Sequence, residues 1–223
     1  MPEKNIGYHN EEYQKSRHEY VEEIRTIVEK GFPEPQTDWE TIWVISGPEI
    51  RFDDPPEKKN GVNQTQSRFE TGLSITKKVA ALRAQKDVNR LTLSDLELHC
   101  PRIYFNGLDA HNDYLRSIVA DGSFEQEYDF PSEKLIIAPP NHGIQHTGDQ
   151  FEKFPHDLVP QTGKLVVVSD LYHIPRVKRY FNKYPITPIE NVVLYPAKPM
   201  ILSVSRALNE AKKIYPYTQQ GIL

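Results

Sequence analysis

Five short apolar runs constrain this chain more than any other feature: residues 41–46 (TIWVIS), 101–105 (PRIYF), 134–138 (KLIIA), 164–169 (KLVVVS) and 191–195 (NVVLY). They are rich in β-branched residues and continuously apolar, the pattern of strands covered on both faces. Between them, apolar residues return at three- and four-residue steps, as in amphipathic helices. The first such segment covers residues 11–30, with Tyr13, Tyr20, Val21, Ile24, Ile27 and Val28 on its apolar side, and is stopped by Gly31 and Pro33. Further helices are expected over 67–85, 110–121, 147–154, 174–182 and 205–214, that over 147–154 ended early by Pro155. Strand and helix alternate five times. That order predicts a doubly wound, mainly parallel five-stranded sheet with helices on both faces, a Rossmann-like α/β fold joined by right-handed crossovers and preceded by an N-terminal helix. The expected division is a helical extension over residues 1–36 and one α/β domain over 37–223.

Composition narrows the function. The chain has 223 residues, enough for one sizeable core, and carries 27 basic against 31 acidic residues for a formal net charge of -4. Such a balance gives no general polyanion-binding surface, so nucleic acid is not an expected partner. Cys100 is the only cysteine, which excludes an intramolecular disulfide framework and a cysteine-rich zinc site and fits a reducing compartment. It reads as a small buried residue. The first fifteen residues contain no apolar core of a signal segment, and no apolar run approaches the roughly 20 residues that span a bilayer. The expectation is a cytoplasmic protein without a membrane partner.

Open parallel sheets bind ligands outside the carboxyl ends of their strands, where the strand order reverses. The residues at those ends are therefore the candidates. Ser46, Gly47 and Glu49 follow the first strand, and Asn106, Gly107 and Asp109 the second. His142, Thr147, Asp149 and Gln150 follow the third. Ser169, Asp170, His173 and Arg176 follow the fourth, and Arg68 opens the first crossover helix. Small polar residues at these places also serve turns and helix caps, and the glycines also serve tight turns. No glycine-rich phosphate fingerprint is present. His173 and Arg176 stand three residues apart where a helix begins, so both side chains are expected on one face beside N–H groups that favour an anion. Arg176 adds a fork suited to phosphate or carboxylate; its alternative is an ion pair with a neighbouring acid. His142, His146 and Asp149 are residue types that hold metals, but their spacing matches no metal motif and no metal site is assigned. Residues 51–66 are polar and aperiodic, a long loop of the kind that is either functional or disordered.

The stretch from Lys164 to Arg176, in which an apolar strand ends in Ser169 and is followed by Tyr172, His173 and Arg176, resembles the signature of the YdcF/SanA/ElyC-like family. The Gly47 turn, Arg68, the Asn106-Gly107 turn and the Thr147-Gly148-Asp149-Gln150 segment fall in the order that family shows, and the resemblance covers residues 41–196. There are departures. Where the family reads Asn-Thr-x-Glu-Asn this chain has His146-Thr147-Gly148-Asp149-Gln150, and its Ser-Gly-Gly turn is here Asn106-Gly107-Leu108. The N-terminal helix and residues 51–66 have no counterpart. The resemblance implies a Rossmann-like fold with a polar site at the strand ends, a largely undefined reaction, and a nucleotide-like ligand for which S-adenosylmethionine is one candidate.

Three functions stay open. A binder of a small anionic or nucleotide-like ligand would use Arg176 for a phosphate or carboxylate, with Asp109 or Glu49 accepting ribose hydroxyls. Transferase or hydrolase chemistry at such a site is left open; a phosphoester or diphosphate hydrolase would take Asp149 or His173 as the catalytic base and Arg68 with Arg176 to stabilise developing charge. A non-catalytic scaffold would use the Tyr13, Tyr20, Ile24 and Ile27 face for a homodimer or another partner.

Overall fold

The computed structural model describes residues 11–47, 52, 63–197, 204–219 and 221. Its first element is helix α1 (Glu11–Lys30). Strand β1 (Trp39–Val44) leads to α2 (Gln64–Ala84) and α3 (Leu93–His99), and β2 (Arg102–Phe105) to α4 (Asp109–Ala120) and α5 (Ser123–Tyr128). After β3 (Leu135–Ile137) come α6 (Thr147–Glu152), β4 (Lys164–Ser169), α7 (Ile174–Lys183), β5 (Val192–Pro196) and α8 (Val204–Gln219). All neighbouring strands pair in parallel, in the order β3-β2-β1-β4-β5. This is the Rossmann-like α/β architecture that the alternating pattern predicts.

The two-residue period of a strand divides the apolar runs between two cores. Ile42, Val44, Ile103, Phe105, Val166 and Val168 face one side, where Phe69, Leu73 and Val79 of α2, Leu96 of α3, Leu115 of α4 and Phe124 of α5 cover them. Trp43, Ile45, Tyr104, Leu165 and Val167 face the other, beneath Phe151 of α6 and Val177, Tyr180 and Phe181 of α7. Helices on both faces explain why every run is apolar without alternation. Gly72 lets α2 lie close to the sheet, since a Cβ there would come within 2.5 Å of Cγ2 of Val44.

Two short helices, α3 and α5, were not legible as periodic segments, because six or seven residues hold fewer than two full turns. The first crossover helix begins at Gln64 and not at residue 67, because Asn63 caps it by accepting a hydrogen bond from the Gln66 N–H at 2.9 Å. Within the expected 51–66 loop, Phe52 is buried against Phe69, Phe105 and Tyr114; most of that loop lies outside the described residues. Helix α1 packs on α8: Tyr20 and Ile24 share a core with Leu171, Tyr172, Ala207, Ala211 and Ile214. Among the described residues no helix is long and apolar enough to cross a membrane.

Candidate functional site

The chain runs β1, β2, β3 in one direction from the sheet centre, then returns to place β4 on the other side of β1. Connections leaving β1 and β4 therefore part in opposite directions and leave a crevice between them. A cavity of about 490 Å³ occupies that position. Ser46 and Gly47 at the end of β1, Gln64 and Arg68 of α2, and Thr147 and Gln150 of α6 form part of its wall. The turn after β4 and α7 adds Asp170, Tyr172, His173, Arg176 and Tyr180, and α8 adds Arg206, Asn209, Glu210, Lys213 and Tyr217.

Several of the sequence-derived candidates meet here. The N–H of Gly47 donates to Thr65 Oγ1 at 2.9 Å, which ties the chain after β1 to the first turn of α2. Buried Arg68 donates to the carbonyls of Ile45 and Ser46 and to Gln64, tying α2 to the end of β1. Gln150 donates to Ser46 Oγ at 3.1 Å and to the Asn106 carbonyl at 2.6 Å. Arg176 pairs with Glu210 at 3.4 Å while lining the cavity, so the ion-pair alternative and the cavity position coexist. Its Nε, closed off from solvent, has no hydrogen-bond partner among the described residues.

His173 is 5% exposed and contacts two hydroxyls, Ser169 Oγ at 2.8 Å from Nδ1 and Thr147 Oγ1 at 3.3 Å from Nε2. Burial, reinforced by the nearby Arg176, Arg68 and Lys213 cations, holds its proton affinity well below that of an ordinary imidazole. The ring is therefore neutral at pH 7. The expected anion-binding N–H groups at the start of α7 are not available. Those of His173 and Ile174 donate to the Asp170 carbonyl, that of Arg176 donates to the His173 carbonyl, and Pro175 has none. A turn feeding directly into the helix supplies its own acceptors, so attraction for an anion falls to the side chains.

Other candidates stand apart from the cavity wall. Asn106 lies beneath it, accepting from Trp43 Nε1 at 2.7 Å and donating to the Gln150 carbonyl at 2.8 Å. Gly107 is held by two hydrogen bonds with Asn112, and a Cβ there would strike the Phe105 ring at 2.6 Å. Asp149 closes a capping box on α6, where its carboxylate accepts the N–H groups of Gln145 and His146. Asp109 sits in the first turn of α4, and the carbonyl of His142 accepts from Lys153. Neither Asp109 nor His142 lines the cavity. Glu49 lies outside the described residues. No group of three or more His, Cys, Asp or Glu side chains able to hold a metal occurs among the described residues.

Comparison of the chain with protein-family models, with curated proteins and with solved structures finds no match in any of the three.

The wall contributed by α8 was missed by sequence reasoning although a signal existed. Arg206, Asn209, Glu210, Lys213 and Tyr217 recur at helical spacing and form a polar stripe, while Ala207, Ala211 and Ile214 form the opposite face toward α1. Arg206 pairs with Asp170 at 3.2 Å and lies 4.6 Å from the Tyr172 ring. Lys213 pairs with Glu210 at 2.5 Å. A polar stripe on a terminal helix reads as a solvated face until the tertiary structure turns it inward.

Proposed function

We propose that this chain binds a small, phosphate-bearing ligand in the crevice between the ends of β1 and β4. The observation that carries the reading is the convergence on one cavity of Arg68 from α2, Arg176 from α7, and Arg206 and Lys213 from α8, against only Asp170 and Glu210. Apart from the histidines, the described wall thus has an excess of two positive charges. A ligand with phosphoryl oxygens complements it, and a nucleotide or sugar nucleotide is within the size range of a cavity of 490 Å³. S-adenosylmethionine has a net positive charge and complements this wall less well, so it ranks behind phosphate-bearing candidates. The segment that resembles the YdcF/SanA/ElyC-like family most specifically supplies His173 and Arg176 to the cavity wall.

A hydrolytic reading has less support, since the Asp149 carboxylate is committed to the α6 cap. A scaffold reading through α1 has less support as well, since Tyr13, Tyr20 and Ile24 are buried within the chain. The test is a thermal-shift series with pyrophosphate, nucleotides, sugar nucleotides and S-adenosylmethionine on the wild type and on Arg176→Ala. A ligand at a hundred times its dissociation constant adds about 2.7 kcal/mol of apparent stability. Stabilisation by a phosphate-bearing compound that shrinks in Arg176→Ala is the expected result. A response to S-adenosylmethionine alone, or to no compound, overturns the proposal.

A further inference from the structure

The hydroxyl of Ser169 lies at the end of β4, fully buried, and its one side-chain partner among the described residues is Nδ1 of His173. A buried hydroxyl hydrogen without an acceptor costs the desolvation of that group, so Ser169 donates and Nδ1 accepts. The ring is neutral, for the reasons given above, and a neutral imidazole whose Nδ1 bears a lone pair carries its hydrogen on Nε2. That hydrogen has Thr147 Oγ1 in front of it, 3.3 Å away. With its oxygen accepting from His173, Thr147 retains a hydroxyl hydrogen for which no acceptor occurs among the described residues, and it lines the cavity.

We propose that Ser169, His173 and Thr147 form a one-way chain of hydrogen-bond donors that presents the Thr147 hydroxyl to a phosphoryl oxygen of the bound ligand. Ser169 is the positioning residue that sets its direction. This rests on the phosphate-bearing ligand of the preceding section. It also defines what the trio does not do: Nε2, which faces Thr147 and already bears a hydrogen, has no lone pair with which to remove the Thr147 proton. The arrangement is then a seat for an oxyanion, in which hydroxyl hydrogen and guanidinium both face acceptor atoms of the ligand, and not a nucleophile with its base.

Two measurements on the full chain test this. With ring-nitrogen-labelled histidine at pH 7.5, the nitrogen resonances of His173 should show a non-protonated Nδ1 and a protonated Nε2. Ser169→Ala should admit the second tautomer, and Ser169→Thr should restore the single one. Calorimetric titration with inorganic pyrophosphate should show Thr147→Val, which keeps the shape and loses the hydroxyl, binding roughly tenfold to a hundredfold more weakly, as loss of a hydrogen bond to a charged group predicts. Thr147→Ser should stay near the wild type. A protonated Nδ1, or undiminished affinity in Thr147→Val, overturns the donor chain while leaving the phosphate reading intact. If the wild type binds no pyrophosphate, nucleotide or sugar nucleotide, both are overturned together.

Discussion

His173 links the site to the stability of the chain. Its folded-state proton affinity lies well below the usual value of 6.5, because the ring is buried and faces Arg176, Arg68 and Lys213. The unfolded chain takes up a proton near that value and the folded chain does not, so this contribution is complete above pH 6.5 and is lost as the pH falls below it. The slope for one such group approaches about 1.4 kcal/mol per pH unit. Urea denaturation between pH 7.5 and 5 should therefore show stability falling with pH, and the fall should be shallower in His173→Asn. Gly72 makes a separate demand at the same scale. Alanine there gains about 1 kcal/mol of helix propensity, but its Cβ would meet Val44 Cγ2 at 2.5 Å inside a closed core. Overpacking of this kind typically costs about 1–3 kcal/mol, so Gly72→Ala is expected to lower the urea midpoint.

Helix α8 has two jobs that its two faces keep apart. One face buries Ala207, Ala211 and Ile214 against Tyr20 and Ile24 of α1, and the other turns Arg206, Glu210 and Lys213 into the cavity. No residue of α1 lines the cavity, yet α1 holds the helix that does. Arg179 of α7 and Glu23 of α1 pair at 2.7 Å, and the Tyr20 hydroxyl donates to the Tyr172 carbonyl, so α1 also braces the turn that bears His173. Truncating a buried isoleucine costs about 2–5 kcal/mol. Ile24→Ala is accordingly expected to lower global stability by about 2–5 kcal/mol and to speed amide exchange in α8 before it does so in β1 or β4. Equal acceleration everywhere would mean that α1 and α8 do not form a unit of their own.

At the scale of the molecule, the strand order decides where chemistry can occur. Strands β2 and β3 step outward from β1 and β4 returns to its other side, which opens a crevice flanked by α2, α6, α7 and α8. A chain whose formal net charge is -4 concentrates cations there, so the acidic average of the whole says nothing about the character of this site. The placement of α1 bears on the division drawn from sequence at residue 36. Deleting residues 1–36 would uncover Leu171, Tyr172, Ala207, Ala211 and Ile214. The truncated chain should melt earlier than the full chain and bind an apolar dye such as ANS; unchanged melting would show that the remaining residues carry their own stability.

The number and type of the long elements were legible because they depend on local periodicity: five doubly covered runs such as KLVVVS, and amphipathic spacing such as that of Tyr20, Ile24 and Ile27. The positions of His173 and Arg176 were legible for a related reason, since a strand that ends and a helix that begins leave polar residues at a known place. Local pattern could not say that Asp149 caps α6 and does not line the cavity, because a carboxylate at that spacing serves a cap or a site equally well. Nor could it say that α8 turns its polar stripe inward, or that Ser169 stands behind His173. Those facts depend on which strand lies beside which, and strand order is settled by contacts between residues far apart in the chain. Local pattern thus fixes the long elements and the polar groups at their ends, whereas the packing of β4 against β1 and of α8 against α1 brings those groups to face one another, because such contacts join residues far apart in the chain.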